Sequence, residues 1–152
     1  VMMMVPLHIE IAGLKVLGDL LDGTGWSNAI AQADIATKGT ADSFIHASHV
    51  TKTSGAHQVT AASLFILQRQ AFENDQESVD GFPVSDDSFA EWCEKMKEEH
   101  PMFHFWSTVF ELELTLLAFV RAIRTSDFEL YKETLSQLAL WLFALDHVHY
   151  AR

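Results

Sequence analysis

The stretch MFHFWSTVFELELTLLAFVRAI spans Met102–Ile123 and combines helical periodicity with almost no charge. At about 100° per residue, one side of this helix is apolar and the opposite side is polar or small. The stretch therefore predicts a central, buried helix. Its apolar side contains Phe105, Val109, Leu112, Leu116, Phe119 and Ile123.

Glu113 is the exception within this helix, because it projects about 80° from the apolar centre. A carboxylate there either meets a partner or has its ionisation disfavoured. An arginine or histidine from another element would make it structural, and Arg69 and His8 are possible partners. The alternative is an acid or metal-ligand role, since buried carboxylates with perturbed pKa values concentrate at active sites.

The rest of the sequence predicts a mainly α-helical fold with one short N-terminal strand. The strand covers Val1–Val5 and is closed by Pro6, which favours an extended residue before it. Apolar spacing and stop signals predict helices over 8–21, 27–35, 41–49 and 59–72. Residues 51–56 are predicted to form a loop, and the acidic residues 74–88 a flexible loop.

The C-terminal third predicts a long antiparallel helical hairpin. A capping box of Ser88 and Glu91 begins one helix, which Pro101 separates from the central one. A second capping box, Ser126 with Glu129, begins a last helix over 127–151 after a short turn. Helices 102–123 and 127–151 then pair antiparallel. We expect residues 1–152 to form a single domain.

Composition limits the classes of partner. The chain has 10 basic and 21 acidic residues, a net charge of −11, which repels phosphate backbones and anionic lipid. We therefore expect no direct nucleic-acid binding and no membrane association. The single cysteine, Cys93, excludes an internal disulfide and suits an intracellular location. Both ends look cut, so we expect a fragment of a longer chain.

Several polar groups have spacings that fit a metal site. Asp146 and His149 stand three apart on the last helix, a spacing at which a carboxylate and an imidazole share a metal in helical bundles. Glu113 would complete the set, but the hairpin places it opposite roughly Gln137, about 13 Å short of Asp146. A hydrogen-bonded structural pair is the alternative for Asp146 and His149.

Two further groups of residues have weaker patterns. His46, His49 and His57 form a second cluster, which lacks the fourth ligand of a structural zinc site and reads as ordinary polar surface. His8 and Glu10 directly follow the predicted strand, where catalytic groups commonly lie in α/β sheets. Solvated positions on the first helix explain these two residues equally well.

Four segments resemble a many-copy invertebrate family that looks transposon-derived and has RNase H-like, DDE-type features. They are LHIEIAGLKVLGDLLDGTGW at 7–26, GTADSFIHASHVTKTSGAHQVTAASLFIL at 39–67, FHFWSTVFELELTLLAFVRAIR at 103–124 and LWLFALDHVHYAR at 140–152. The resemblance implies a fragment of an RNase H-like, transposase-like protein, which would be nuclear. An upstream first aspartate and a basic DNA-binding surface are both missing.

The resemblance also implies site residues and cofactors. A two-metal mechanism needs acidic side chains that hold two Mg²⁺ or Mn²⁺ ions about 4 Å apart. It would use Glu113, Glu10 and Asp146, with His8 beside the site. The isolated fragment is expected to be inactive. The alternative function is a helical protein-interaction module without catalysis, which docks on the missing remainder of the parent chain or on a partner. Self-association is a further expectation. A metal-binding bundle using His46, His49, Asp146 and His149 is the third hypothesis.

Overall fold

The computed structural model describes residues 4–76 and 86–145, and the regular structure in these ranges is helical. The prediction of a mainly α-helical protein is confirmed. The predicted N-terminal strand is wrong where it is described, because Met4 and Val5 belong to the first helix. Pro6 lies in its first turn, where a backbone N–H has no intrahelical acceptor to lose. The helices are α1 (Met4–Leu21), α2 (Trp26–Gln32), α3 (Lys38–Phe44), α4 (Val50–Gln76), α5 (Asp86–Glu99), α6 (Pro101–Thr125) and α7 (Phe128–Ala144).

The chain divides into two compact units. Unit 1 comprises Val1–Gln58 and Leu112–Arg152, and unit 2 comprises Val59–Glu111. The boundaries fall inside α4 and α6, so each of these helices contributes one part to each unit.

Unit 1 has its core on α1 and the α6–α7 hairpin. The antiparallel pairing is confirmed: Thr115 Oγ1 donates to Gln137 Oε1 at 3.4 Å, and the Phe119 and Tyr131 ring centroids are 5.5 Å apart. Asp127, not Ser126, caps α7, and its carboxylate accepts from the Leu130 N–H. The core residues of this unit include Ala12, Leu14, Val16, Leu17, Leu21, Leu112, Leu116, Phe119, Leu138 and Leu142.

Unit 2 is built from parts of α4 and α6 together with α5. Gln68 Nε2 donates to Ser107 Oγ at 3.1 Å, and the rings of Phe65 and Phe110 stack with centroids 6.4 Å apart. From Phe65 to Gln68 the residue numbers on α4 rise, while those of their partners on α6 fall from Phe110 to Ser107. The two helices are therefore antiparallel here. The core is mainly aromatic and contains Phe72, Phe89, Trp92 and Phe103.

Two predicted loops are partly helical. Residues 51–56 belong to α4 because Thr53, Ser54 and Ala56 are buried in unit 1, and this tertiary burial outweighs the weak local helix propensity of Thr, Ser and Gly. In the predicted acidic loop, 74–76 end α4 and 86–88 begin α5. Residues 77–85 lie outside the described part of the chain.

Among the described helices, α6 is long and apolar enough to cross a bilayer by length and composition. A core helix of a soluble protein meets the same criterion. In α6 Val109, Leu112, Leu116 and Phe119 are buried among other helices, as the apolar side of the sequence predicted. Ile123, assigned to the same side, is exposed.

Candidate functional site

Glu113 of α6 pairs with His57 of α4 inside unit 1. His57 Nδ1 and Glu113 Oε1 are 3.0 Å apart, and the two side chains are 1% and 0% exposed. The prediction of a histidine or arginine partner from another element is confirmed, but neither suggested residue is that partner. The Arg69 guanidinium lies 4.7 Å from the Phe89 ring centroid, and His8 is exposed on α1.

Trp26 covers one face of the imidazole. The Trp26 and His57 rings are stacked, with centroids 4.9 Å apart and an interplanar angle of 14°. Gly25 brings Trp26 into this position, since its φ of 85° is readily adopted by glycine and it precedes the first residue of α2. His57 was predicted to be ordinary polar surface, and that prediction is wrong because the ring is enclosed.

Burial sets the protonation of the pair. Desolvation raises the pKa of Glu113 to about 9 and lowers the pKa of His57 to about 4, because burial disfavours the charged form of each. Between these values the pair holds one proton. Either the protonated carboxyl donates its O–H to Nδ1, or Nδ1–H donates to the carboxyl oxygen, and the net charge is zero in both cases.

An enclosed pair of this kind is suited to structure more than to chemistry. A catalytic carboxylate must reach a substrate or a metal, and both Glu113 and His57 are shielded from solvent. Within residues 4–76 and 86–145, no group of three or more His, Cys, Asp or Glu side chains could hold a metal ion. The catalytic and metal-binding roles of Glu113 stay predictions, and its burial weighs against them.

The other predicted site residues are dispersed or not described. Glu10 lies on α1 and accepts a hydrogen bond from Ser54 Oγ at 3.0 Å, a contact between two helices of unit 1. His46 and His49 are exposed, as predicted for polar surface. The predicted ligands Asp146 and His149 lie outside the described residues.

Thr53, one helical turn before His57 on α4, is also buried. Its Oγ1 has no hydrogen-bond partner among the described residues, and an unsatisfied buried hydroxyl costs stability. We expect Thr53→Val to raise the free energy of unfolding by about 1 kcal/mol. Urea denaturation measures this change.

Thr134 provides the control for this substitution. It is similarly buried, but its Oγ1 donates to the Leu130 carbonyl at 2.7 Å. Thr134→Val should therefore destabilise the protein by about 1 kcal/mol. Equal losses for Thr53→Val and Thr134→Val would contradict the assignment of an unsatisfied hydroxyl at Thr53.

The second distinctive feature is an exposed apolar segment of α4 in unit 2. We call Leu64–Leu67 the α4 apolar segment. Four consecutive residues sample about 300° of a helix circumference, and all four here are large and apolar. Phe65, Ile66 and Leu67 are 47%, 53% and 59% exposed. A helix that is apolar on all sides is normally buried, so this segment is unusual.

Two grooves in unit 2 adjoin the α4 apolar segment. The first, of about 260 Å³, is lined by Leu64, Leu67 and Ala71 of α4 and by Met102, Phe103 and Trp106 of α6, with Gln68 between the helices. The second, of about 610 Å³, is here called the acidic groove. Gln68 and Ser107 also line it, with Phe89, Ala90, Glu91, Cys93, Glu94, Lys97, Phe110 and Glu111.

The acidic groove has an apolar floor and a charged rim. Phe65 contacts two of its aromatic residues, with ring centroids 6.3 Å from Phe89 and 6.4 Å from Phe110. On the rim, Lys97 Nζ lies 2.8 Å from Glu94 Oε1 and 2.6 Å from Glu111 Oε1. One lysine is thus shared by two carboxylates.

Cys93 also lines this groove. Burial is the largest influence and raises the pKa of its thiol, and the nearby Lys97 lowers it by a smaller amount. This environment is that of a packed cysteine rather than an activated nucleophile. No feature of the sequence pattern identified the groove, although the run of large apolar residues at 64–67 could have indicated an exposed surface.

Comparisons with known proteins give a family and no closer relative. The family model described as "Domain of unknown function (DUF8702)" matches residues 10–152, which is nearly the whole chain. Comparisons with curated proteins and with solved structures return no match.

Proposed function

The chain belongs to the family described as a domain of unknown function (DUF8702), and on that premise we propose that it is a helical protein-interaction module without catalysis. The exposure of the α4 apolar segment carries this proposal. Its three most exposed side chains leave apolar area in contact with water, which a binding partner could cover with a gain of about 25 cal/mol per Å².

The adjoining grooves support the same function. Each presents an apolar floor between helices of unit 2, and a groove between helices is a common receptor for an amphipathic helix. The titratable pair of unit 1 does not compete with this function, because His57 and Glu113 are enclosed and hydrogen-bonded to each other.

Selection of binders from a library of amphipathic helical peptides tests the proposal. We expect peptides that bind with a Kd on the order of 1–100 μM, as is usual for a small interface. The double substitution Ile66→Glu and Leu67→Glu should weaken their binding at least tenfold because it places charge in the apolar contact. Titration calorimetry provides the affinities.

Matched variants make this test specific. Ser136→Glu with Gln137→Glu introduces the same charge on exposed positions of α7 and should leave affinity within twofold. Exposed substitutions usually change stability by no more than about 0.5 kcal/mol, so both double variants should stay folded. A library without binders, or binders insensitive to the α4 substitutions, would refute the interaction module.

The transposon resemblance motivates a second proposal, that the chain is part of a transposase-like, RNase H-like protein acting in the nucleus. It is supported by the four resembling segments and not by the geometry of Glu113. The test is Mg²⁺- or Mn²⁺-dependent DNA cleavage by the full-length parent and its Glu113→Gln variant. Because Glu113 is buried, we expect the parent and the variant to cleave DNA equally. Loss of cleavage in a correctly folded variant would support a catalytic role for Glu113.

A further inference from the structure

We infer that the acidic groove binds a basic amphipathic helix of a partner protein, an inference that rests on the proposed interaction function and specifies its partner. An apolar side chain of that helix would pack against Phe89 and Phe110. Lysine or arginine side chains would lie against Glu91 and Glu94 on the rim.

Local charge favours this occupant. Among the described residues that line the groove, Glu91, Glu94 and Glu111 are carboxylates and Lys97 is the one cation. Lys97 bridges Glu94 and Glu111, and the Arg69 guanidinium lies 4.7 Å from the centroid of the Phe89 ring. These two cations compensate only part of the charge of the three carboxylates. A cationic partner would therefore meet a net negative rim around an apolar floor.

The charge distribution along the chain points to the same region. Unit 2 contains 11 acidic and 3 basic residues, a net charge of −8 out of the total of −11. The acidic charge is thus concentrated in the unit that exposes the α4 apolar segment. Such a field accelerates association with a cationic helix and makes that association sensitive to salt.

Other occupants fit less well. A second copy of the chain would bring another net charge of −11, so like charges would oppose self-association through this groove. Nucleic acid and anionic lipid would be repelled for the same reason. A neutral apolar helix would fill the floor but bring no cation to the rim carboxylates Glu91 and Glu94.

Three synthetic peptides of about 15 residues test the inference. They share one apolar face of leucines and have lysine, glutamine or glutamate on the opposite face. Calorimetry should show the lysine peptide binding at least tenfold more tightly than the glutamine peptide, with the glutamate peptide weakest. The ratio of the lysine peptide's affinity to the glutamine peptide's affinity should shrink several-fold between about 0.05 M and 0.5 M salt.

A pair of double variants separates the groove from overall charge. Glu91→Gln with Glu94→Gln should weaken the lysine peptide about fivefold to tenfold, as expected for the loss of two exposed charge pairs. Glu129→Gln with Glu133→Gln removes the same charge from exposed positions of α7 and should change affinity less than twofold. Each pair includes one carboxylate that contacts a lysine three residues away.

Cys93 reports occupancy of the groove directly, because it is the chain's single cysteine and lines the groove. Saturating lysine peptide should slow alkylation of Cys93 by a maleimide at least fivefold, and the glutamate peptide should not. Equal effects of the two double variants, or unchanged alkylation, would overturn the inference. If library-selected peptides still lose affinity with Ile66→Glu and Leu67→Glu, the interaction module stands without it.

Discussion

Raising the pH from 6.5 to 9 should lower the free energy of unfolding of the wild-type protein by about 3 kcal/mol, and Glu113→Gln should abolish this loss. The loss arises because burial raises the pKa of Glu113 from 4.5 to about 9. Between these values the folded protein retains a carboxyl proton that the unfolded chain has released. Stability therefore falls by about 1.4 kcal/mol per pH unit.

The partner of Glu113 shapes the acidic side of the profile. Burial lowers the pKa of His57 from 6.5 to about 4, so between these values the unfolded chain binds the additional proton and stability rises with pH. From 4.5 to 6.5 the contributions of His57 and Glu113 have opposite signs and cancel. We expect a plateau there, with the loss attributable to Glu113 beginning above 6.5.

The Glu113→Gln profile should have a different shape. Glutamine keeps a group that can hydrogen-bond to His57 Nδ1 but does not titrate. Stability of the variant should rise between pH 4 and 6.5, where His57 acts alone, and then stay level. Urea denaturation followed by tryptophan fluorescence at closely spaced pH values provides both curves.

Glu133→Gln is the control, because it removes an exposed carboxylate from α7. Its profile should run parallel to that of the wild type. If the wild-type and Glu113→Gln curves were also parallel above pH 6.5, Glu113 would not be held protonated in the folded state. The enclosed neutral pair would then be the wrong description of this site.

The sequence was informative where the cause of structure is local. Apolar spacing predicted α6 and much of its buried side, and the short turn predicted the antiparallel hairpin. The predicted register placed Glu113 opposite roughly Gln137. In the structure Gln137 pairs with Thr115, which is two residues from Glu113. Helix periodicity and loop length are properties of neighbouring residues, so one sequence is sufficient for them.

Prediction failed where distant residues decide the outcome. His57 and Glu113 are 56 positions apart, and no local pattern selects His57 over Arg69 as the partner. Likewise, Thr53 and Ser54 have weak intrinsic helix propensity, and their burial against other helices places them in α4. The acidic groove depends on three helices whose arrangement is a tertiary property.

Gly18→Ala adds only one methyl group, but it should be among the most destabilising substitutions in this chain. A Cβ at Gly18 of α1 would lie 2.8 Å from the backbone carbonyl carbon of Ile45, and its contact with the carbonyl oxygen of Ile45 would be shorter still. Backbone cannot rotate away as a side chain can, so α1 and the segment after α3 would have to separate. We expect a loss of about 3 kcal/mol or more, despite a gain of about 1 kcal/mol in helix propensity.

Two other helical glycines make this a graded test. A Cβ at Gly13 would meet the Leu116 Cδ1 atom at 2.7 Å, and that flexible side chain can adjust, so Gly13→Ala should cost about 1 kcal/mol. A Cβ at Gly55 would meet nothing within 4 Å, so Gly55→Ala should stabilise the protein by about 0.5–1 kcal/mol. Urea midpoints at about pH 6, on the plateau, rank the three variants. A Gly18→Ala protein as stable as Gly55→Ala would show that α1 does not approach Ile45 this closely, because the same substitution in a helix differs between these positions only in what surrounds the new methyl group.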